Sequence, residues 1–202
     1  MSDRPTIDKT GRALLIMDYQ NDIVALLPEE RQKPLLQRAA RVLAAARQAG
    51  LPVVYVKNRF RDGYPEISPH NKVFSGVKQR GLIRENTPGA DIRVEVAPQP
   101  GEVVVTKFRS SAFHATELEA LLRVKGVKNL VLFGVSTSGC VLSTVRRAAD
   151  MDYDITVISD CCGDPDEEIH QVLVQKIFPK QATVVTAQEF ISLIESEPRL
   201  TT

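Results

Sequence analysis

The sequence has no surplus of charge: 26 Lys and Arg stand against 25 Asp and Glu, a formal net charge of +1. Without a global field nothing steers the chain toward nucleic acid or an anionic membrane, so a small-molecule partner is the default. Long apolar runs are missing too. No stretch approaches the roughly 18 residues that cross a bilayer, and the N-terminus MSDRPTIDKTGR is polar, which argues against a signal peptide or membrane helix and for the cytoplasm. Cysteine is scarce. Cys140, Cys161 and Cys162 give an odd count with no zinc-type spacing, so no disulfide framework is expected and at least one thiol is free for chemistry. Internal repeats and low-complexity segments are absent, and 202 residues suit a single domain spanning 1–202 with its own core.

What is present is an alternation. Short apolar runs rich in β-branched residues (ALLIMD from 13, PVVYVKN from 52, EVVVTK from 102, NLVLFGV from 129, DITVISD from 154 and ATVV from 182) recur between amphipathic stretches. Continuous rather than alternating apolar character means strands covered on both faces. Between the first two runs, PLLQRAARVLAAARQAG puts Leu35, Leu36, Ala39, Val42, Leu43 and Ala46 on one helical face and ends at Gly50, a C-terminal cap residue. Later helix starts are signalled by Thr116 with Glu119, Asp164 with Pro165 and Glu167, and Thr186 with Glu189. Alternating strands and helices predict an α/β fold, a largely parallel sheet wrapped by helices, with the ligand crevice at the carboxyl ends of the strands.

One long stretch breaks the alternation. From about Asn58 to Gly101 it carries Gly63, Pro65, Pro69, Gly76, Gly81, Pro88, Gly89, Pro98 and Pro100, a composition that suits a loop rather than a helix. A loop of that length inside a compact domain is a lid or binding segment, or else a disordered excursion.

Three reactive side chains fall at strand ends. Asp18 closes the first strand, Lys107 the third, and Cys140 sits a short turn beyond the fourth. A thiol is mostly protonated at neutral pH, so a nucleophilic cysteine needs a group that lowers its pKa or takes its proton. Val141, Val145 and Ala148 recur at helical spacing after Gly139, which places Cys140 at a helix N-terminus, where the dipole favours thiolate and free N–H groups can hold an oxyanion. Lys107 adds a positive charge and Asp18 a proton acceptor. An arbitrary cysteine is more often inert core, and that reading suits Cys161 and Cys162.

At these residues the chain resembles the isochorismatase-like cysteine hydrolases, the superfamily of nicotinamidases, N-carbamoylsarcosine amidohydrolases and ureide-cleaving enzymes. MDYQNDI around Asp18, TKFRSSAF around Lys107 and FGVSTSGCV ending past Cys140 carry the resemblance, in order and spacing, over most of the chain. It implies a three-layer α/β/α fold whose six-stranded sheet has the order 3-2-1-4-5-6. It further implies a thioester mechanism on a small amide, lactam, ureide or carbamoyl compound, with Cys140 as nucleophile, Asp18 as proton shuttle and Lys107 holding both charges. A cis peptide before Ser136, oxyanion binding by the Ser136 and Cys140 N–H groups, and a homodimer or homotetramer are implied as well.

Departures narrow the reaction. Metal-binding nicotinamidases of the superfamily carry an Asp-x-His pair after the second strand, where this chain reads KNRFRDGYPEISPHN with only His70, so no metal or other cofactor is expected. Isochorismatases proper lack the nucleophilic cysteine, so Cys140 disfavours vinyl-ether cleavage. Ile23 stands where the family usually has phenylalanine, a change that reshapes the pocket. Gln20, Arg109 and Phe113 are read either as pocket residues or as supports of the catalytic groups, and His114 either as a pocket residue or as a solvated one entering the next helix. Arg146 and Arg147 follow Cys140 on its helix, as anion ligands or solvated residues. The competing functional class is a catalytically silent metabolite-binding protein of the same fold. A thiol redox sensor would need a resolving cysteine for Cys140.

Overall fold

The computed structural model describes residues 11–196, so the N-terminal polar stretch lies largely outside the described residues. Six strands, β1 (Arg12–Met17), β2 (Val53–Asn58), β3 (Val103–Lys107), β4 (Asn129–Gly134), β5 (Asp154–Ile158) and β6 (Thr183–Val185), form one sheet of order β3-β2-β1-β4-β5-β6. Every pairing is parallel. β1 is central and buried at all six residues, which explains its unbroken apolar run: both faces are covered. The strand order reverses between β1 and β4, the point at which a sheet of this kind opens a crevice.

Among the described residues seven α-helices accompany the strands, six between them and one after β6: α1 (Asn21–Val24), α2 (Glu29–Gln48), α3 (Lys72–Gln79), α4 (Leu118–Val124), α5 (Leu142–Ala149), α6 (Glu167–Val172) and α7 (Ala187–Ser196). The buried face of α2 is Leu35, Leu36, Ala39, Val42, Leu43 and Ala46, the stripe its periodicity predicts, although the helix begins at Glu29, ahead of Pro34. Past its end Gly50 has φ 74°, the left-handed conformation that terminates helices.

Two expected helix starts need correction. Thr186 and Glu189 do form a reciprocal cap: the Glu189 carboxylate accepts from Thr186 N at 2.7 Å, and Glu189 N donates to Thr186 Oγ1 at 3.3 Å. Thr116 does sit at the start of α4, its Oγ1 accepting from Leu118 N at 3.4 Å, but its hydroxyl donates to Ala112 O and Glu119 pairs with Arg123 one turn on, so no reciprocal box closes. The start read at Asp164 shifts to Asp166, which accepts from Ile169 N at 3.1 Å and caps α6. Asp164 is released for another role, described below.

The stretch from Asn58 to Gly101 is not an unstructured loop. It contains α3, capped by the Asn71 side chain accepting from Phe74 N and buried through Phe74 and Val77, and short 3₁₀ turns at Pro88–Ala90 and Val94–Val96. The segment after Asp18 ties this excursion down. Gln20 Nε2 donates to Asn58 O and Ala90 O, both at 2.8 Å, and its Oε1 accepts from Asn58 N at 2.9 Å. Asn21 Nδ2 donates to Pro88 O, and the Asp22 carboxylate accepts from Ile83 N, both at 2.7 Å. Three residues of the MDYQNDI motif, Gln20, Asn21 and Asp22, therefore anchor the excursion at Asn58, Ile83, Pro88 and Ala90. Among the described residues no helix is long and apolar enough to cross a membrane.

Candidate active site

Asp18, Lys107 and Cys140 come from three non-adjacent parts of the sequence and meet because β1, β3 and β4 end on the same edge of the sheet. Asp18 follows β1 with φ 56°, a left-handed conformation that Asp tolerates better than most side chains, and Asp18 N donates to Val56 O at 2.8 Å. Lys107 is the last residue of β3 and is wholly buried. Its Nζ donates to Asp18 Oδ2 at 2.7 Å and to Arg109 O at 3.1 Å. A lysine is buried only when its charge is met, and here a carboxylate and a carbonyl meet it.

Cys140 lies in a π-helical turn, Thr137–Val141, that leads directly into α5, and the peptide between Val135 and Ser136 is cis. Its thiol has Ser136 O as an acceptor at 3.5 Å. Room for the sulfur is provided by Gly134, where a Cβ would come within 2.8 Å of Met17 O and 3.0 Å of Cys140 Sγ. The turn is clamped from the next segment. Thr137 N donates to Gly163 O at 2.8 Å, Ser138 N to Asp164 Oδ2 at 2.7 Å, and Thr137 Oγ1 lies 2.9 Å from Nδ1 of the buried His170. Gly139 N donates to Ser136 Oγ at 3.0 Å.

The electrostatics differ from the sequence expectation that the helix start and Lys107 would favour a thiolate. Burial pushes the Cys140 thiol well above its ordinary range; the Asp18 charge adds to the rise and Lys107 opposes it. Burial likewise raises the Asp18 carboxyl, against the pull of Lys107. Asp18 Oδ1 has no hydrogen-bond partner of full geometry among the described residues, and the Cys140 thiol and Asn58 N–H act on the carboxylate as weaker donors. The resting arrangement is a neutral thiol beside a carboxylate that has one oxygen held by Lys107 and one without a strong partner. That arrangement keeps the proton on sulfur with an acceptor beside it, instead of storing a thiolate.

These side chains open on a cavity of about 170 Å³, well below the roughly 300 Å³ at which drug-sized pockets begin. Ile23, Leu26, Phe74, Val77 and Ile83 supply apolar walls, Asn58, Ser110 and Ser136 polar ones. Asn58 is buried, and its side-chain Oδ1 has no hydrogen-bond partner among the described residues. Two larger grooves, of about 560 and 520 Å³, lie elsewhere: one beside Lys128 and Asp152, which precede β4 and β5, the other along α2. Neither brings a nucleophile and a base together.

The remaining sequence candidates fall outside the cavity lining. Gln20 is fully buried and holds backbone, as described above. Arg109 donates to the carbonyls of Glu66 and Phe108, and its own carbonyl supports Lys107. Phe113 packs on Tyr153 with ring centroids 5.8 Å apart, and His114 is exposed. Arg146 and Arg147 are exposed on α5. Cys161 and Cys162 are buried core thiols, with burial pushing Cys162 up to about 12. Sequence reasoning missed Asn58, Ser110, Asp164, His170 and all of α3. The amphipathic spacing of Phe74 and Val77 behind Asn71 was the available signal for α3; no local pattern marks the others. Among the described residues, no group of three or more His, Cys, Asp and Glu side chains converges as a metal site would require.

Known proteins resemble this chain over most of its length. It is 35% identical over 159 residues to the maleamate amidohydrolase of Pseudomonas putida, covering 76% of this chain and 71% of that one. It is 28% identical to the ureidoacrylate amidohydrolase RutB of Stutzerimonas stutzeri, covering 91% and 79%. A crystal structure of a cysteine hydrolase from Pseudomonas syringae pv. phaseolicola shares the fold with a TM-score of 0.83, covering 96% of each chain at 24% identity. The family model of the isochorismatase domain matches residues 12–189, and the chain belongs to that family.

Proposed function

We propose that the protein is a cysteine amidohydrolase that cleaves a C–N bond of a small amide, lactam, ureide or carbamoyl compound through a thioester, without a metal. The observation that carries this reading is the buried Lys107–Asp18 pair at 2.7 Å beside the Cys140 thiol, at the wall of a small cavity. Its relatives, by name, hydrolyse maleamate and ureidoacrylate. Metal independence is supported by the donor set: the cavity lining includes one carboxylate and no histidine. Three free thiols suit a reducing compartment, the cytoplasm.

In the proposed reaction Asp18 takes the Sγ proton as sulfur bonds to the carbonyl carbon. The carbonyl oxygen becomes an oxyanion. The resemblance implies that the amides of Ser136 and Cys140 receive it; those of Thr137, Ser138 and Gly139 have acceptors of their own. Collapse of the tetrahedral adduct breaks the C–N bond, and Asp18 returns its proton to the departing nitrogen. Water then enters, loses a proton to Asp18 and attacks the thioester carbon. Sulfur departs and recovers its proton from Asp18, releasing the acid. Lys107 keeps Asp18 oriented and offsets its charge throughout, and Asn58 Oδ1, which lacks a partner among the described residues, accepts from the substrate nitrogen.

A panel of small amides and ureides read by ammonia release tests this, with Cys140→Ala as the blank. The expected result is turnover by the native protein that falls about 10⁴-fold or more in Cys140→Ala. Saturable binding without release of ammonia or amine from any compound would refute it.

A further inference from the structure

Five arginines lie on the excursion between β2 and β3, and four have acidic partners. Arg59 pairs with Glu85 at 3.6 Å, Arg61 with Glu66 at 3.4 Å, Arg84 with Asp62 at 3.0 Å and Arg93 with Glu95 at 2.7 Å. Arg80 is the exception: among the described residues it makes no ion pair, and its side chain donates from Nε to Gly76 O at 3.3 Å, within its own helix turn. It is also the arginine that lines the catalytic cavity.

Its placement follows from α3. Val73, Val77 and Arg80 recur at i, i+4 and i+7, so one stripe of this helix faces the cavity with two valines and ends in a guanidinium. The only other charged groups in the lining, Asp18 and Lys107, neutralise each other at 2.7 Å. Arg80 and Val73 are exposed, so it is the rim of the cavity that carries a positive charge without an ion-pair partner among the described residues, at the outer end of an apolar wall. A guanidinium offers parallel N–H donors that match a carboxylate, and such a charge-assisted pair discriminates strongly against neutral isosteres.

Resting on the amidohydrolase reading above, we infer that Arg80 is a specificity-determining residue that receives a carboxylate at the end of the substrate remote from the scissile amide. The substrate class is a short ω-amide or ureide of a carboxylic acid, whose acyl product is a dicarboxylate when the carbonyl is part of the acid chain. A cavity of about 170 Å³ leaves room for only a short chain between the two functional groups.

The test has a kinetic and a binding part, both on the full-length protein. In the first, kcat/KM is measured for maleamate and for its uncharged methyl ester with the native protein, Arg80→Gln and Arg80→Lys. Arg80→Gln is expected to lose about 10- to 100-fold on maleamate, mostly through KM, and less than about twofold on the ester; Arg80→Lys recovers part of the loss. Equal losses on both compounds, or none on either, would overturn the inference. In the second, maleate is titrated calorimetrically into the native protein and Arg80→Gln, a readout that needs no turnover. Binding weakened about tenfold or more by Arg80→Gln supports the role, and binding that is absent from the native protein or unchanged in the variant overturns it. Hydrolysis of uncharged amides without maleate binding would sink the Arg80 assignment alone, whereas Arg80-dependent maleate binding without any amide hydrolysis would sink the amidohydrolase reading alone.

Discussion

Lys107 Nζ and Asp18 Oδ2 meet at 2.7 Å with both side chains buried, across 89 residues of sequence. Desolvating two charges is costly, and the pair persists because each offsets the other. Lys107→Met strands the carboxylate and is expected to lower unfolding free energy by about 3–5 kcal/mol in urea titrations. Adding Asp18→Asn removes the stranded charge and recovers part of that loss, while both variants stay inactive. A double variant no more stable than Lys107→Met would show that the pair is not coupled in this way.

The pH dependence follows from the raised Asp18 carboxyl. In the proposed reaction Asp18 accepts the thiol proton and must be ionised, so kcat/KM should fall at acid pH with a midpoint above 3.8. On the alkaline side the Cys140 thiol is pushed well above 9.0, so activity should persist past that pH. The stability sign is the reverse of an ordinary carboxylate. The folded state holds this proton more tightly than the unfolded state, so the Asp18 contribution is most favourable below 3.8 and is lost as pH rises toward the folded value. Steady-state rates between pH 4 and 10 check the first point: an acid limb with its midpoint above 3.8 is the expected signature, and a rate that stays flat down to pH 4 would contradict it.

The α/β alternation, the strand positions and the α2 face are legible in the sequence because each depends on local periodicity. β1 to β6 begin and end within a residue or two of the apolar runs, and Gly50 stops α2 as read. The strand-end positions of Asp18 and Lys107 and the turn holding Cys140 follow from the same runs. Asp164 and His170 could not be found that way. Their value lies in bonds to Ser138 N and Thr137 Oγ1 that only the fold creates, and Asp164 looked like a helix cap because Asp166, two residues on, has the same chemistry. The excursion misled because its glycines and prolines outweighed one short amphipathic helix. The segments around α3 are tied down by long-range bonds from Gln20, Asn21 and Asp22 to Ala90, Pro88 and Ile83, and the helix itself packs through Phe74 and Val77.

Gly134 is required by space, not by dihedral freedom. A methyl there would press on Met17 O at 2.8 Å and on Cys140 Sγ at 3.0 Å. Gly134→Ala is expected to destabilise by about 1–3 kcal/mol and to lower kcat at least tenfold by displacing the sulfur. Unchanged kcat in a correctly folded Gly134→Ala protein would show that the sulfur position is not critical.

Thiol labelling separates access from acidity. All three cysteines are buried and at least Cys140 and Cys161 are pushed well above the ordinary thiol range, but only Cys140 lines the cavity. Iodoacetamide should modify Cys140 first, yet more slowly at pH 7 than an exposed model thiol, as peptide mapping over a time course would record. Faster labelling of Cys161 or Cys162 would contradict the cavity assignment.

The covalent step is the centre of the proposed chemistry, and acid quenching during turnover tests it most directly. The protein is mixed with an amide it hydrolyses, quenched at low pH within the first turnovers, digested and weighed by mass spectrometry. An acyl group on the peptide containing Cys140 is the expected result, missing from Cys140→Ala, which should also release no ammonia. An unmodified Cys140 peptide throughout the time course, with turnover undiminished in Cys140→Ala, would contradict nucleophilic catalysis by this residue.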